Sequence, residues 1–356
     1  MLEIQPFNAI IPYTDTFNNQ YKLHHNFLCL KDKITTATNP CFKGEEGIKH
    51  ITNMIKQGYL QSYPENYLYC CKITSQDLQT TGLIALVKIN EVGKSIFGHE
   101  RNIEHKRESY ISYFQEHKIQ TTPVILAHKN IKSLRSYLSN ITTNESTLFT
   151  IEEKQEKYEI WKVENTEYCQ ILYKSRSIST LLIADGHHRI AALQKLNPDG
   201  YVMAFLVPNS DLKTIRILRK YTQVTSKAKA KLFKVLKASH NIRKLQNHES
   251  EMHANKIQIT IEKDLYLIEG SDTPSVMIRV LEQLDQHINY IKGELNFYNY
   301  LYDSDTSFTQ HKNALSVHIP AYEINNTYNV ENIIYPPHST LFCPKLPEGL
   351  VSFMLQ

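Results

Sequence analysis

Asp185, Gly186, His187, His188 and Arg189 place a carboxylate, a glycine, two imidazoles and a guanidinium on five consecutive residues. That combination suits anion chemistry: imidazole and guanidinium groups donate hydrogen bonds to phosphate oxygens, and the carboxylate can hold Mg²⁺. Residues 178–184 just before it are apolar and partly β-branched, the pattern of a buried strand. Ile190, Leu193 and Leu196 follow at helical spacing, with alanines between them. The five residues therefore occupy a strand-to-helix turn. Gly186 permits close backbone approach there, and the first N–H groups of the helix point at whatever lies in front. An Asp-Gly pair by itself is an ordinary turn in which the Asp caps the next helix. Two histidines and an arginine on the same turn argue for a ligand, because burying such donors unpaired costs free energy.

A second polar set follows a glycine at Gly98, His99 and Glu100. As a zinc motif it fails on spacing, since the second histidine should come four residues after the first on one helix face. The next histidine is His105, about 240° round a helix. What remains is an acid–base pair. Gly98 interrupts the chain, so His99 and Glu100 are expected to open a helix with Ile103, Arg107, Tyr110 and Phe114 on one face. Glu100 then has two available roles, a base that reaches a cleft or a first-turn glutamate that complements the helix dipole for ~0.3–1 kcal/mol. The sequence has no Gly-x-x-x-x-Gly-Lys-Ser/Thr loop, no Gly-x-Gly-x-x-Gly and no Gly-x-Ser-x-Gly. Phosphate binding rests on the 185–189 turn.

With 356 residues the chain has room for two domains with cores of their own, at the usual ~100–200 residues each. Apolar content of 41% and charged content of 21% belong to an ordinary globular protein. A net charge of +4 is too mild to indicate nucleic acid. No apolar run approaches the ~20 residues that span a bilayer, and residues 1–7 lack a basic, then apolar, leader. A cytoplasmic protein with no membrane partner is expected, and the sequons at Asn140, Asn144 and Asn325 are incidental. The cysteines at 29, 41, 70, 71, 169 and 343 form no Cys-x-x-Cys pair, so reduced thiols are expected in place of zinc or disulfides.

In chain order, the stretch from Asp15 to Pro40 shows little periodicity, and Gly47 to Leu60 reads as a helix. Residues 66–73 and 81–89 read as strands of a hairpin, and 122–128, 157–163 and 200–207 as further strands. Residues 212–218 suggest one more. A lysine-rich helix over 226–237 reads as a solvated surface element and marks a domain boundary. Strands at 256–261 and 265–267, a helix at 275–288 and a rigid polar tail from Pro336 to Lys345 complete the chain.

Three blocks carry a family resemblance: Gly93-x-x-Ile96-x-x-His99-Glu100, Ile183 to Arg189, and Pro336-Pro337-x-Ser339-Thr340-x-Phe342-x-Pro344-Lys345-Leu346 with Gly349-Leu350 after it. They resemble a widespread bacterial family catalogued as a domain of unknown function, marked by Asp-Gly-His-His-Arg. That family is similar to the free serine kinases of the ParB/sulfiredoxin-like superfamily, and the likeness covers essentially the whole chain. It implies that Glu100 is the base on a serine hydroxyl, with His99 beside it, and that Asp185 to Arg189 hold phosphates and Mg²⁺, Asp185 being the metal ligand. It also implies that Arg219 lies near the site. By its own composition the polar tail, with His338, Ser339, Thr340 and Lys345, is expected either to fold back and wall the site or to be purely structural. The chain departs from the pattern at Asn102, where many members carry Thr, and at Ser109-Tyr110, where many carry Asp-Arg. His338 stands where Lys is common, and a Pro-Pro-Tyr-Asp segment is missing.

The expected fold is α+β: a ParB/sulfiredoxin-like nucleotide-binding core over residues 93–225, with α+β regions at 1–92 and 226–356. The expected activity is phosphoryl transfer from ATP, ADP or pyrophosphate, with Mg²⁺, to free L-serine, giving O-phosphoserine. Phosphoryl transfer asks a protein mainly for positioning, charge neutralisation and one base, which these residues supply. The alternative is a non-catalytic nucleotide- or phosphate-binding regulatory protein of the same superfamily. Sulfiredoxin chemistry does not fit, because His187 stands where the reactive cysteine is expected. A DNA-partitioning role would need a helix-turn-helix and a strongly basic surface, and residues 226–356 show β-alternation instead.

Overall fold

The structure is a computed structural model. It describes residues 2–12, 44–153, 155–221, 224–246, 255–261, 264–288, 295–299, 315–321, 334–337 and 339–355. The Asp15 to Pro40 stretch and His338 lie outside the described residues. The chain divides into two compact units. One is Met1–Gly98 with Asn102–Leu212 and Pro344–Gln356, and the other is His99–Arg101 with Lys213–Cys343.

The first unit is built on a nine-stranded mixed sheet. Its strands are β1 (Ile4–Gln5), β2 (Leu68–Thr74), β3 (Gln79–Lys88), β4 (Ile96–Phe97), β5 (Val124–His128), β6 (Phe149–Glu153), β7 (Glu156–Val163), β8 (Leu181–Asp185) and β9 (Tyr201–Pro208). Their order is β4–β8–β5–β9–β3–β2–β7–β6, with β1 on β3. β8 pairs parallel with β4, and β9 parallel with β5; the other pairs are antiparallel. The expected hairpin of β2 and β3 forms, with Thr74 paired to Gln79 across the polar connection. Strands from 1–92 and from 93–225 share one sheet, so the expected edge at 92/93 falls inside a hydrogen-bonded layer.

The helices are α1 (Gly44–Lys56), α2 (Glu104–His117), α3 (Lys132–Asn144), α4 (Asn165–Ser175) and α5 (His187–Leu196). The inner strands are buried along almost their whole length, which is why their sequences are continuous apolar runs without alternation. Leu83, Ala85, Val87, Val124, Leu126, Ile183, Val202, Ala204 and Leu206 lie in one core with Ile111 and Phe114 of α2, Leu134 and Leu138 of α3, and Ile190 and Leu193 of α5. α4 carries no strong sequence signal, and in the core its anchor is Ile171. Gly82 of β3 is the tightest point. A Cβ there would lie 2.5 Å from the Leu206 carbonyl oxygen and 2.6 Å from atoms of Phe205 and Val207.

The second unit holds a six-stranded antiparallel sheet of β10 (Ile217–Tyr221), β11 (Ile242–Lys244), β12 (Gln258–Ile261), β13 (Asp264–Ile268), β14 (Leu295–Asn299) and β15 (Leu315–Ile319). The order is β11–β13–β12–β15–β10–β14. α6 (Ser226–Ser239) and α7 (Pro274–Ile288) supply Leu232, Leu236, Met277, Val280, Leu281 and Leu284 to a core with Ile259 and Val317. Thr225 caps α6 by accepting from the Ala228 amide at 3.3 Å. Lys227, Lys231, Lys234 and Lys237 are exposed on α6. The expected strand at 212–218 is two pieces, Lys213–Thr214 and β10. Among the described residues no helix is long and apolar enough to cross a membrane.

Gly82→Ala forces the added methyl against the backbone of β9, which cannot rotate away as a side chain would. Overpacking of this kind costs ~1–3 kcal/mol. Urea unfolding of the variant should show a midpoint reduced accordingly, and an unchanged midpoint would contradict the close packing of β3 on β9.

Candidate functional site

In the first unit, β8 ends at Asp185, Gly186 follows with φ 100°, and α5 starts at His187. The left-handed φ suits glycine, and a Cβ at Gly186 would meet Val124 Cγ1 at 2.6 Å. Asp185 does not cap α5. Gly186 takes the cap position and no side chain bonds to it, so the first-turn amides face outward as an anion-binding end. Asp185 is instead the centre of an ion-pair cluster. Its Oδ2 accepts from Arg189 Nη2 at 2.7 Å, and its Oδ1 accepts from Lys345 Nζ at 2.9 Å. Burial alone would raise the Asp185 pKa, but Lys345 and Arg189 outweigh it and hold the carboxyl at about 2.

Arg189 is committed on two sides. Besides Asp185 it donates to the carbonyl oxygens of Thr122 at 2.6 Å and Pro123 at 3.2 Å, which ties the first turn of α5 to the entry of β5. His188 Nε2 accepts from the Ile103 amide at 2.9 Å, so it holds the start of α2 against the start of α5. The His187 ring packs on Gly98, where a Cβ would approach it to 3.2 Å. Burial is the main reason that both histidines sit low, at about 4. Asp185 opposes the shift at His187, and Lys106 adds to it at His188. Both rings are neutral at pH 7. The expected positive charge of the turn therefore comes from Arg189 and Lys345.

In the second unit, Glu100 is not in a helix. The Tyr335 amide donates to the His99 carbonyl at 2.7 Å, and the Arg101 amide donates to the Tyr335 carbonyl at 3.0 Å, in a parallel bridge. α2 begins only at Glu104, which takes the first-turn role. This corrects the expectation that His99 and Glu100 open the helix: pairing with the 335 segment holds them extended. Glu100 Oε1 accepts from the Ser339 amide at 3.0 Å, the Thr340 amide at 2.6 Å and the Thr340 hydroxyl at 2.5 Å. The Thr340 hydroxyl also meets His99 Nε2 at 2.5 Å. A hydroxyl has one proton, and here it goes to the carboxylate, so His99 must donate from Nε2–H. Tyr335 and Phe342 meet the His99 ring edge-on.

Arg219, in β10, is fully buried. It pairs with Asp285 at 3.0 Å, and donates to the Pro337 carbonyl at 2.6 Å and the Ser339 hydroxyl at 3.4 Å. It thereby holds Pro337 and Ser339, and the Ser339 amide in turn holds Glu100. The structure thus brings Asp185, Gly186, His187, His188, Arg189 and Lys345 together in one unit. It brings His99, Glu100, Arg219, Ser339 and Thr340 together in the other. Sequence reading misses the carbonyls of Thr122 and Pro123, and the partners Asp285 and Tyr335. No motif marks them, because each acts through the backbone or from a distant element. Among the described residues no cluster of three His, Cys, Asp or Glu side chains could hold a metal. Asp185, the carboxylate expected to hold Mg²⁺, has both oxygens paired, one with Arg189 and one with Lys345.

Folded His187 and His188 stay neutral between pH 6.5 and 4, where histidines of the unfolded chain take up protons. Stability present above pH 6.5 is therefore lost as the pH falls toward 4. In thermal melts the Tm should drop over that window, and the drop should shrink in the His187→Asn/His188→Asn double variant. His128 and His318, also held low by burial, keep part of it. An identical drop in the double variant would refute the neutral assignment.

Residues 20–287 match a family described as protein of unknown function DUF1015. No curated protein matches the chain. Three solved structures are similar in fold. A conserved hypothetical protein from Pyrococcus furiosus is 16% identical, covering 74% of this chain and 93% of its own, with a TM-score of 0.48. A free serine kinase in complex with AMP is 16% identical over 78% of this chain and 95% of its own, with a TM-score of 0.47. SbnI with a C-terminal truncation, from Staphylococcus aureus, is 11% identical over 75% and 87%, with a TM-score of 0.47. The family match spans well over half of the chain, and the protein belongs to the DUF1015 family.

Proposed function

We propose that the protein is a small-molecule kinase, built on a core of ParB/sulfiredoxin type, that phosphorylates free L-serine. The observation that carries the reading is the turn after β8. An uncapped helix N-terminus, a left-handed glycine and the paired cations Arg189 and Lys345 form a seat for the phosphates of ATP, ADP or pyrophosphate. L-serine as acceptor rests on the three-block sequence resemblance. Gly98, against the His187 ring, lies two residues before Glu100 in the chain.

In this reading the serine hydroxyl oxygen bonds to the terminal phosphorus as the bond to the leaving phosphate oxygen breaks. The hydroxyl proton passes to the Glu100 carboxylate. His99 donates from Nε2 to Thr340, which leaves only Nδ1, a buried atom, to take a proton. Arg189 stays on Asp185 and the β5 entry, and Lys345, 43% exposed, is the cation able to swing onto a phosphate. Mg²⁺, held by Asp185 and the donor's phosphates, would neutralise charge on the transferring group. Arg219, through Pro337 and Ser339, orients Glu100 together with Thr340, so Arg219 acts through Glu100 and not on the substrate.

The direct test is a donor screen with L-serine and Mg²⁺, read by phosphorus NMR. One of ATP, ADP or pyrophosphate should yield O-phosphoserine, and silence with all three would reject the kinase. Glu100→Gln should lower kcat by ~10²–10⁴-fold with donor affinity little changed, whereas His99→Asn should cost less. The reverse order would make His99 the base.

Pyrophosphate with Mg²⁺ should raise the Tm of the wild type by mass action. Asp185→Asn should abolish the Mg²⁺-dependent part of that rise, and Lys345→Met should diminish the rise. Full retention in both variants would place the donor elsewhere.

A further inference from the structure

α2 and α5 run side by side in the same direction. Their N-terminal ends meet where the Ile103 amide bonds to His188, and their C-terminal ends line a cavity of about 580 Å³ in the first unit. That volume lies within the range of ordinary small-molecule sites. The floor is apolar and buried, formed by Phe7, Ile89, Phe114, Leu193 and Phe353. The rim carries the exposed side chains of Gln115, Lys118, Asn197 and Asp199. Among the described residues neither the Lys118 nor the Asp199 side chain has an ion-pair partner. The rim therefore offers one charge of each sign above an aromatic floor.

Lys118 is unusual in its backbone. It ends α2 in the left-handed region with φ 51°, a position that glycine suits best. Two hydrogen bonds hold it there, from its own amide to the Phe114 carbonyl at 3.1 Å and from the Leu355 amide to its carbonyl at 2.8 Å. A lysine kept where glycine is easier points to work for the side chain. The two helix C-termini carry partial negative charge and, with Asp199, favour an ammonium group; Lys118 favours a carboxylate.

We propose that this cavity binds a zwitterionic aromatic ligand, a free aromatic amino acid or a dipeptide built on one. The ring lies on the phenylalanine floor, the ammonium at Asp199 and the carboxylate at Lys118. The site is separate from the turn after β8 and does not depend on the kinase reading.

Calorimetry on the full chain tests it with L-phenylalanine, phenylalanyl-phenylalanine, phenethylamine, 3-phenylpropionate and L-serine. One of the two aromatic zwitterions should bind, and the single-charge analogues and serine should bind at least about tenfold more weakly. Asp199→Asn and Lys118→Met should each weaken the zwitterion by about tenfold or more. Lys118→Gly relieves the backbone, so it should raise the Tm and still weaken binding, which a merely structural lysine would not do. Absence of binding by both zwitterions at about 10 mM, equal binding of the single-charge analogues, or wild-type affinity in the variants would each overturn the proposal.

Discussion

The carboxylate of Asp185 is the constraint on which the first unit's polar geometry depends. One of its oxygens takes Arg189 from the first turn of α5, and the other takes Lys345 from the last part of the chain. Through Arg189 the same cluster reaches the carbonyls of Thr122 and Pro123 at the entry of β5. A strand end, a helix start, a neighbouring strand and a late segment are thus referred to one charge. Two cations on one carboxylate leave a net positive charge at the uncapped helix N-terminus, which is the electrostatic requirement for an anion seat.

The parallel course of α2 and α5 gives this unit a polarity. Helix N-termini gather beside His188 and helix C-termini gather at the cavity floored by Phe7 and Phe114. Peptide dipoles aligned in this way favour anions at one end and ammonium groups at the other. The sheet supplies the rigidity that keeps both ends in register, because its inner strands are buried on both faces.

The second unit organises Glu100 by different means. Two backbone amides and a threonine hydroxyl converge on one carboxylate oxygen, and the threonine fixes the histidine tautomer beside it. Arg219 holds the loop that supplies those donors. A fully buried guanidinium is costly to desolvate, and its pairing with Asp285 and the Pro337 carbonyl meets that cost locally.

The sequence by itself determined the local elements and the chemistry-bearing residues. The turn at 185–189, the 68–88 hairpin, the buried strands and the helices near 104, 187, 226 and 274 follow from apolar period and glycine placement, which act over a few residues. Local pattern failed where a residue's partner is remote. Glu100 reads as a helix opener, and the 335 segment, more than two hundred residues away, makes it extended. His187 and His188 read as positive, and burial makes them neutral. Lys345, expected to wall the site, pairs with Asp185, and Arg219, expected near the site, bonds to Pro337 and Ser339; neither partner is marked in the sequence. Which stretches join which unit is decided by contacts, because each unit is assembled from separated parts of the chain. Desolvation and long-range pairing depend on which surfaces meet, and only the tertiary structure decides that.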